Sequence, residues 1–96
     1  MRVLAKISIP TASGNAAIEK GTLGPTIEKM LADLQPESAY FTLDAGRRAG
    51  FIVFDLKDVS SMPAAFEPLF LGLGAEIDMT PCLSPDDLRK GLSQLG

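Results

Sequence analysis

AYFTLDAGRRAGFIVFDL, residues 39–56, is the stretch whose reading decides the fold. Two runs rich in aromatic and β-branched side chains, Ala39 to Asp44 and Gly50 to Leu56, flank Ala45, Gly46, Arg47, Arg48 and Ala49. Such side chains pack well on a pleated surface, and a glycine lets the chain reverse, so the segment reads as a β-hairpin with a glycine-containing turn. Everything else in the chain has to cover or extend that hairpin.

Before the hairpin, Leu23, Ile27, Met30, Leu31 and Leu34 recur at steps of three and four and form one helical stripe over Leu23 to Leu34. Pro36 stops this helix, and Thr22 or Gly24 is its expected cap, with Pro25 in the first turn. Further back, Thr11 to Lys20 offers Ser13 or Asn15 as a cap and a short helical turn through Ala16, Ala17 and Ile18, with a break near Gly21. The N-terminal run RVLAKISI alternates, Val3, Ala5, Ile7 and Ile9 against Arg2, Leu4, Lys6 and Ser8, which is a strand with one buried face, ended by Pro10.

After the hairpin, VSSMPAAFEPLFLGLG carries Ser60 or Ser61 as cap, Pro63 in the first turn and the stripe Met62, Ala65, Phe66, Leu69, Phe70 and Leu73. Pro68 removes one backbone bond and predicts a kink, and Gly74 suits the helix end. Ala75 to Leu83 alternates again and makes a fourth strand, placed at an edge by Pro81. Ser84, Pro85, Asp86 and Asp87 then open a short final helix with Leu88, Leu92 and Leu95 on one face.

The order β, α, β, β, α, β, α with right-handed crossovers defines a ferredoxin-like α+β fold. It predicts one domain over residues 1–96, a four-stranded antiparallel sheet of order 4-1-3-2 and both main helices on one face. Parity then assigns Arg2, Leu4, Lys6, Ser8, Tyr40, Thr42, Asp44, Glu76, Asp78 and Thr80 to the open face, with Phe51, Val53 and Asp55 from the third strand, although Ile52, Phe54 and Leu56 are apolar enough to reverse with them. Leu4, Tyr40, Phe51 and Val53 are a large apolar area to leave in water, so a partner sheet is expected to cover them. Arg2 and Lys6 are expected to neutralise part of Asp55, Glu76 and Asp78.

The layout, the hairpin strand GRRAGFIVFDLKD, the EPLF helix and the terminal SPDDLRKGL resemble small bacterial domains of the dimeric α/β-barrel kind. In that superfamily two ferredoxin-like protomers stack their sheets face to face. Its members include muconolactone isomerase-like enzymes, cofactor-free monooxygenases, chlorite dismutase-like haem proteins and stress-response proteins. The resemblance implies a homodimer more strongly than any activity.

Chemistry is bounded by what the chain contains. It has no histidine, which removes the commonest general base, the usual zinc ligand and the proximal haem ligand, so neither a metal nor a cofactor is expected. Nine basic against twelve acidic residues, without a basic stripe or an aromatic stacking motif, argue against nucleic acid. No apolar run reaches membrane-spanning length, and the one cysteine, Cys82, fits a reducing compartment, so a cytoplasmic location is expected.

Asp44, Asp55, Glu76 and Asp78 are acid–base candidates if burial between sheets raises a pKa; the competing reading is that they are solvated strand-end charges. Tyr40 with Arg47 or Arg48 suits an anionic or phenolic ligand, against the plainer reading of an interface tyrosine and a solvated turn. Two hypotheses follow. The first is a non-catalytic dimer taking a small molecule or a protein partner at the sheet face through Lys6, Tyr40, Thr42, Arg48 and Glu76. The second, implied by the resemblance, is a cofactor-independent isomerase or monooxygenase for a small aromatic or polyketide-like compound, with Tyr40 and an acid, Asp55 or Asp78, as catalytic groups.

Overall fold

A computed structural model describes residues 1–96. The first strand, β1 (Arg2–Ile9), lies in the middle of the sheet between β3 (Arg47–Asp55) and β4 (Glu76–Pro81), and β2 (Ser38–Asp44) flanks β3. All pairings are antiparallel and the order β2-β3-β1-β4 is the expected 4-1-3-2 read from the other edge. The fold is therefore ferredoxin-like α+β. Pro81 stands at the end of edge strand β4, where a missing N–H breaks no interior ladder.

The hairpin is tighter than its sequence suggests. Only Ala45 and Gly46 turn the chain, with φ of 51° and 77°, and Arg47 already pairs with Asp44. Two successive left-handed residues are the signature of a type I′ turn, whose twist matches that of the strands, so the ladder runs straight into the turn. Arg47, Arg48 and Ala49 thus belong to β3 rather than to a loop.

The first crossover also differs from expectation. Thr11–Lys20 is a complete helix, α1, with Ser13 and Asn15 inside it instead of at its cap. The residues α1 buries are Gly14 and Ala17, so it approaches the sheet on small side chains and shows no stripe of large apolar ones. Gly21, at φ 73°, closes it as the expected break. Helix α2 (Leu23–Leu34) follows directly, and α3 (Met62–Leu73) runs unbroken through Pro68. A short 3-10 turn over Val59–Ser61 leads into α3, and its cap is Asp58, which accepts the Ser60 N–H at 2.9 Å.

Helices α1, α2 and α3 share one side of the sheet and enclose the core. Val3, Ala5, Ile7 and Ile9 meet Ile52 and Phe54 from β3, Met30 from α2, and Phe66, Leu69 and Leu73 from α3. The Phe54 and Phe66 rings stand 6.0 Å apart at 54°, a tilted geometry that aromatic quadrupoles favour.

The final helix, α4 (Pro85–Ser93), carries a full capping box: the Ser84 hydroxyl accepts the Asp87 N–H and the Asp87 carboxylate accepts the Ser84 N–H, both at 3.1 Å. None of its residues is buried, and its one ion pair to the body joins Asp87 to Arg2. The radius of gyration is 15.3 Å, against about 12.5 Å for a compact chain of this length. With extents of 56 × 29 × 16 Å, the molecule is a two-layer body with an arm. No helix is long and apolar enough to cross a membrane.

Candidate functional site

The sheet presents two surfaces that differ in character. On the open face, register aligns Tyr40, Phe51, Lys6 and Asp78 in one row and Thr42, Ala49, Ser8 and Glu76 in the next. Leu4, Phe51 and Val53 are half-buried at the centre, while Tyr40 at the edge is 73% exposed. Charges ring this patch. Lys6 reaches diagonally across the sheet to Asp44, Arg47 meets Glu76 at 3.3 Å, and Arg2 holds Glu37 together with Asp87. Ala49 is buried although it faces away from the helices, beneath the path Lys6 takes to Asp44.

The direct ion pairs differ from the expected ones, although Asp78 still acts on Lys6 and Arg2 on Asp55 through their charges. Arg2 neutralises Glu37 and Asp87 in place of the strand acids, and Asp55 is held by the Met1 amine at 2.9 Å. That amine, first by hydrogen bonding and then by charge, holds the Asp55 carboxyl below the usual carboxylate range. Lys6 is pushed up by its hydrogen bond to Asp44 and by the charges of Asp44 and Asp78.

The three catalytic candidates do not meet within one protomer. Tyr40 and Asp78 share a row but stand on opposite edge strands, three strand spacings or roughly 14 Å apart. Asp55 pairs with Arg2, two rows away from them. Thr42 and Glu76 are likewise at opposite ends of their row.

The other surface is a groove that the sequence reading missed, on the helix side of the sheet. Its volume is about 660 Å³, and Ile7, Ile9 and Gly50 form its floor. Leu23, Ile27 and Leu31 of α2 make one wall and Phe41 and Leu43 of β2 the other. The helices stop short of β2, which leaves Phe41 52% and Leu43 73% exposed on the face that the helices cover over β1 and β3. Gly50 is essential to this shape: a Cβ there would come within 3.0 Å of the Phe41 ring, which leans over it. The legible signal was the parity of β2, where Ala39, Phe41 and Leu43 alternate with the more polar Tyr40, Thr42 and Asp44 and so bring two large apolar side chains to the helix side.

Of the residues expected to bind ligand, Thr42 and Arg48 line the groove, whereas Lys6, Tyr40 and Glu76 do not. Arg48 is half-buried and donates from Nη2 to the Asn15 Oδ1 of α1 at 3.0 Å. Its guanidinium lies against Gly14, where a Cβ would stand 2.5 Å from Nη1. Arg2, Arg47 and Arg89 each meet a carboxylate; Arg48 meets none. No group of histidine, cysteine or carboxylate side chains is arranged to hold a metal.

No protein-family model and no curated protein matches the chain. Solved structures do share its fold. The 5-chloro-2-hydroxyhydroquinone dehydrochlorinase TftG of Burkholderia phenoliruptrix AC1100, in complex with 2,5-dihydroxybenzoquinone, superposes with a TM-score of 0.66 at 14% identity, over 90% of this chain and 97% of that one. A formyltetrahydrofolate deformylase from Pseudomonas putida KT2440 matches 85% of this chain with 29% of its own, at 12% identity and a TM-score of 0.56. At these identities the likeness establishes the ferredoxin-like α+β fold and nothing of the chemistry.

Proposed function

We propose that this protein is a small-molecule-binding domain that works as a homodimer, with its ligand in the groove between α2 and β2. The observation that carries the reading is the groove itself: an apolar cleft of about 660 Å³ with a few polar groups is what a small-molecule site requires. This moves the ligand from the sheet face, where the sequence alone would put it, to the opposite side of the same strands. That the fold accommodates a small quinonoid compound is consistent with the complex of the dehydrochlorinase.

Pairing rests on the open face and the arm together. Four strands at about 4.8 Å spacing and roughly six paired residues at about 3.3 Å give a flat face of roughly 400 Å². A stable dimer buries about 800 Å² per partner, so the face alone falls short. The leucines of α4 supply apolar area of the missing kind, and a second copy covers both. A cytoplasmic setting fits one unpaired, half-buried thiol, and the uncompensated basic surface that nucleic acid needs is absent from the sequence.

A second reading, a cofactor-independent isomerase or monooxygenase using Tyr40, Asp55 and Asp78, requires a partner sheet to bring these groups together. The exposure of Tyr40 at the rim of the open face is what favours it. The two readings separate in one titration. Neutral 2-naphthalenemethanol added to labelled protein should shift the amides of Ile27, Leu31, Leu43 and Gly50, and Phe41→Glu should abolish binding. Shifts confined to the open-face row of Tyr40, Phe51, Lys6 and Asp78 would overturn the groove as the site.

A further inference from the structure

We infer that the ligand of the groove is an apolar monocarboxylate whose head is held by Arg48; this rests on the groove being the binding site. Three of the four arginines are tied to carboxylates at the surface, where such pairs contribute little. Arg48 is half-buried, lines the apolar groove between α2 and β2, and has only the neutral amide of Asn15 as partner. Glu28, the sole carboxylate lining the groove, makes no ion pair with it.

The fold spends specific residues on this placement. Gly14 is buried under the guanidinium, and any side chain there would displace it. Asn15 fixes Nη2 from α1, one residue further along. A guanidinium is a planar fork matched to two carboxylate oxygens, and it forms stronger hydrogen bonds to charged than to neutral acceptors. Beside it the walls from Ile27, Leu31, Phe41 and Leu43 take an apolar ring or chain. A cation at one end of an apolar trough selects a molecule with an anion at one end of an apolar body.

The test uses a matched pair of probes, 2-naphthoate and 2-naphthalenemethanol, which share a ring system and differ in the head. Calorimetric titration of the wild-type protein should show the carboxylate binding at least tenfold tighter, equivalent to about 1.4 kcal/mol. Arg48→Met should remove that preference, bringing the affinity for the carboxylate down to that for the alcohol, and Arg48→Lys should keep part of it. Gly14→Ala should reduce the preference by moving the guanidinium without altering charge. Equal affinity of both probes for the wild type, or a preference that survives Arg48→Met, overturns the carboxylate assignment and leaves the groove standing. If neither probe binds, the groove reading fails and takes this one with it.

Discussion

Replacing Leu88 and Leu92 of α4, together with Leu95 in the turn just beyond the end of that helix, by glutamine tests the dimer where its energetics can be worked out. These side chains are 51%, 55% and 82% exposed in the protomer, so close to two whole leucines stand in water. Burying a leucine is favourable by about 1.5–3 kcal/mol, so covering the stripe makes about 3–6 kcal/mol available per arm. Glutamine keeps nearly the helix propensity of leucine, and the capping box from Ser84 to Asp87 is untouched, so the arm itself should persist. Taking the lower value and a single arm, a loss of about 3 kcal/mol weakens dimerisation by a factor of about a hundred. Sedimentation equilibrium over a concentration series measures this directly, with far-ultraviolet circular dichroism as the control for folding. An unchanged dimer constant in the triple variant would exclude the arm from the interface. A wild-type protein that stays monomeric throughout would refute the pairing altogether.

Three further outcomes follow from local physics. Ala45→Asn should stabilise the protein by about 0.5–1 kcal/mol and raise the melting temperature by a few degrees, since asparagine tolerates the left-handed φ of 51° that alanine resists; no gain would mean the turn relaxes in solution. Leu69→Ala, at a fully buried position of α3 against the sheet, should cost about 3–4 kcal/mol in urea unfolding, a large share of the stability of so small a domain. Asp87 is held below the ordinary aspartate value of about 3.9 by the Ser84 N–H first and then by its hydroxyl, with Arg2 adding charge. A depressed pKa contributes stability above the unfolded value that is lost as pH falls through the folded one. The amide signals of α4 should therefore broaden or shift only at acid pH below about 3.9, and Asp87→Asn should remove that transition; a midpoint above it would contradict the assigned cap.

Much of the architecture was legible because it depends on short-range rules. Alternation in RVLAKISI and AYFTLD, the stripe from Leu23 to Leu34 and the Ser84 cap each reflect local steric and hydrogen-bonding preferences that appear as spacing. The first helix escaped because its buried residues are Gly14 and Ala17, and close packing through small side chains leaves no hydrophobic signature. The two-residue turn escaped because Ala45 is an ordinary alanine whose positive φ is imposed by the twist of the strands it joins.

By itself the amino-acid sequence determined the element order, the sheet order and the facing of β1, since these follow from periodicity and chain handedness, whereas both sets of β3 side chains are apolar and packing decided between them. Only the tertiary structure decided which charges pair and where a cleft opens. Lys6 finds Asp44 and Arg2 finds Glu37 through register between strands distant in the chain. The groove exists because α1 and α2 fall short of the β2 edge, a matter of how three helices divide the width of four strands, and no local pattern encodes that. Arg48, read from sequence as part of a turn, became a half-buried cation in an apolar wall for the same reason.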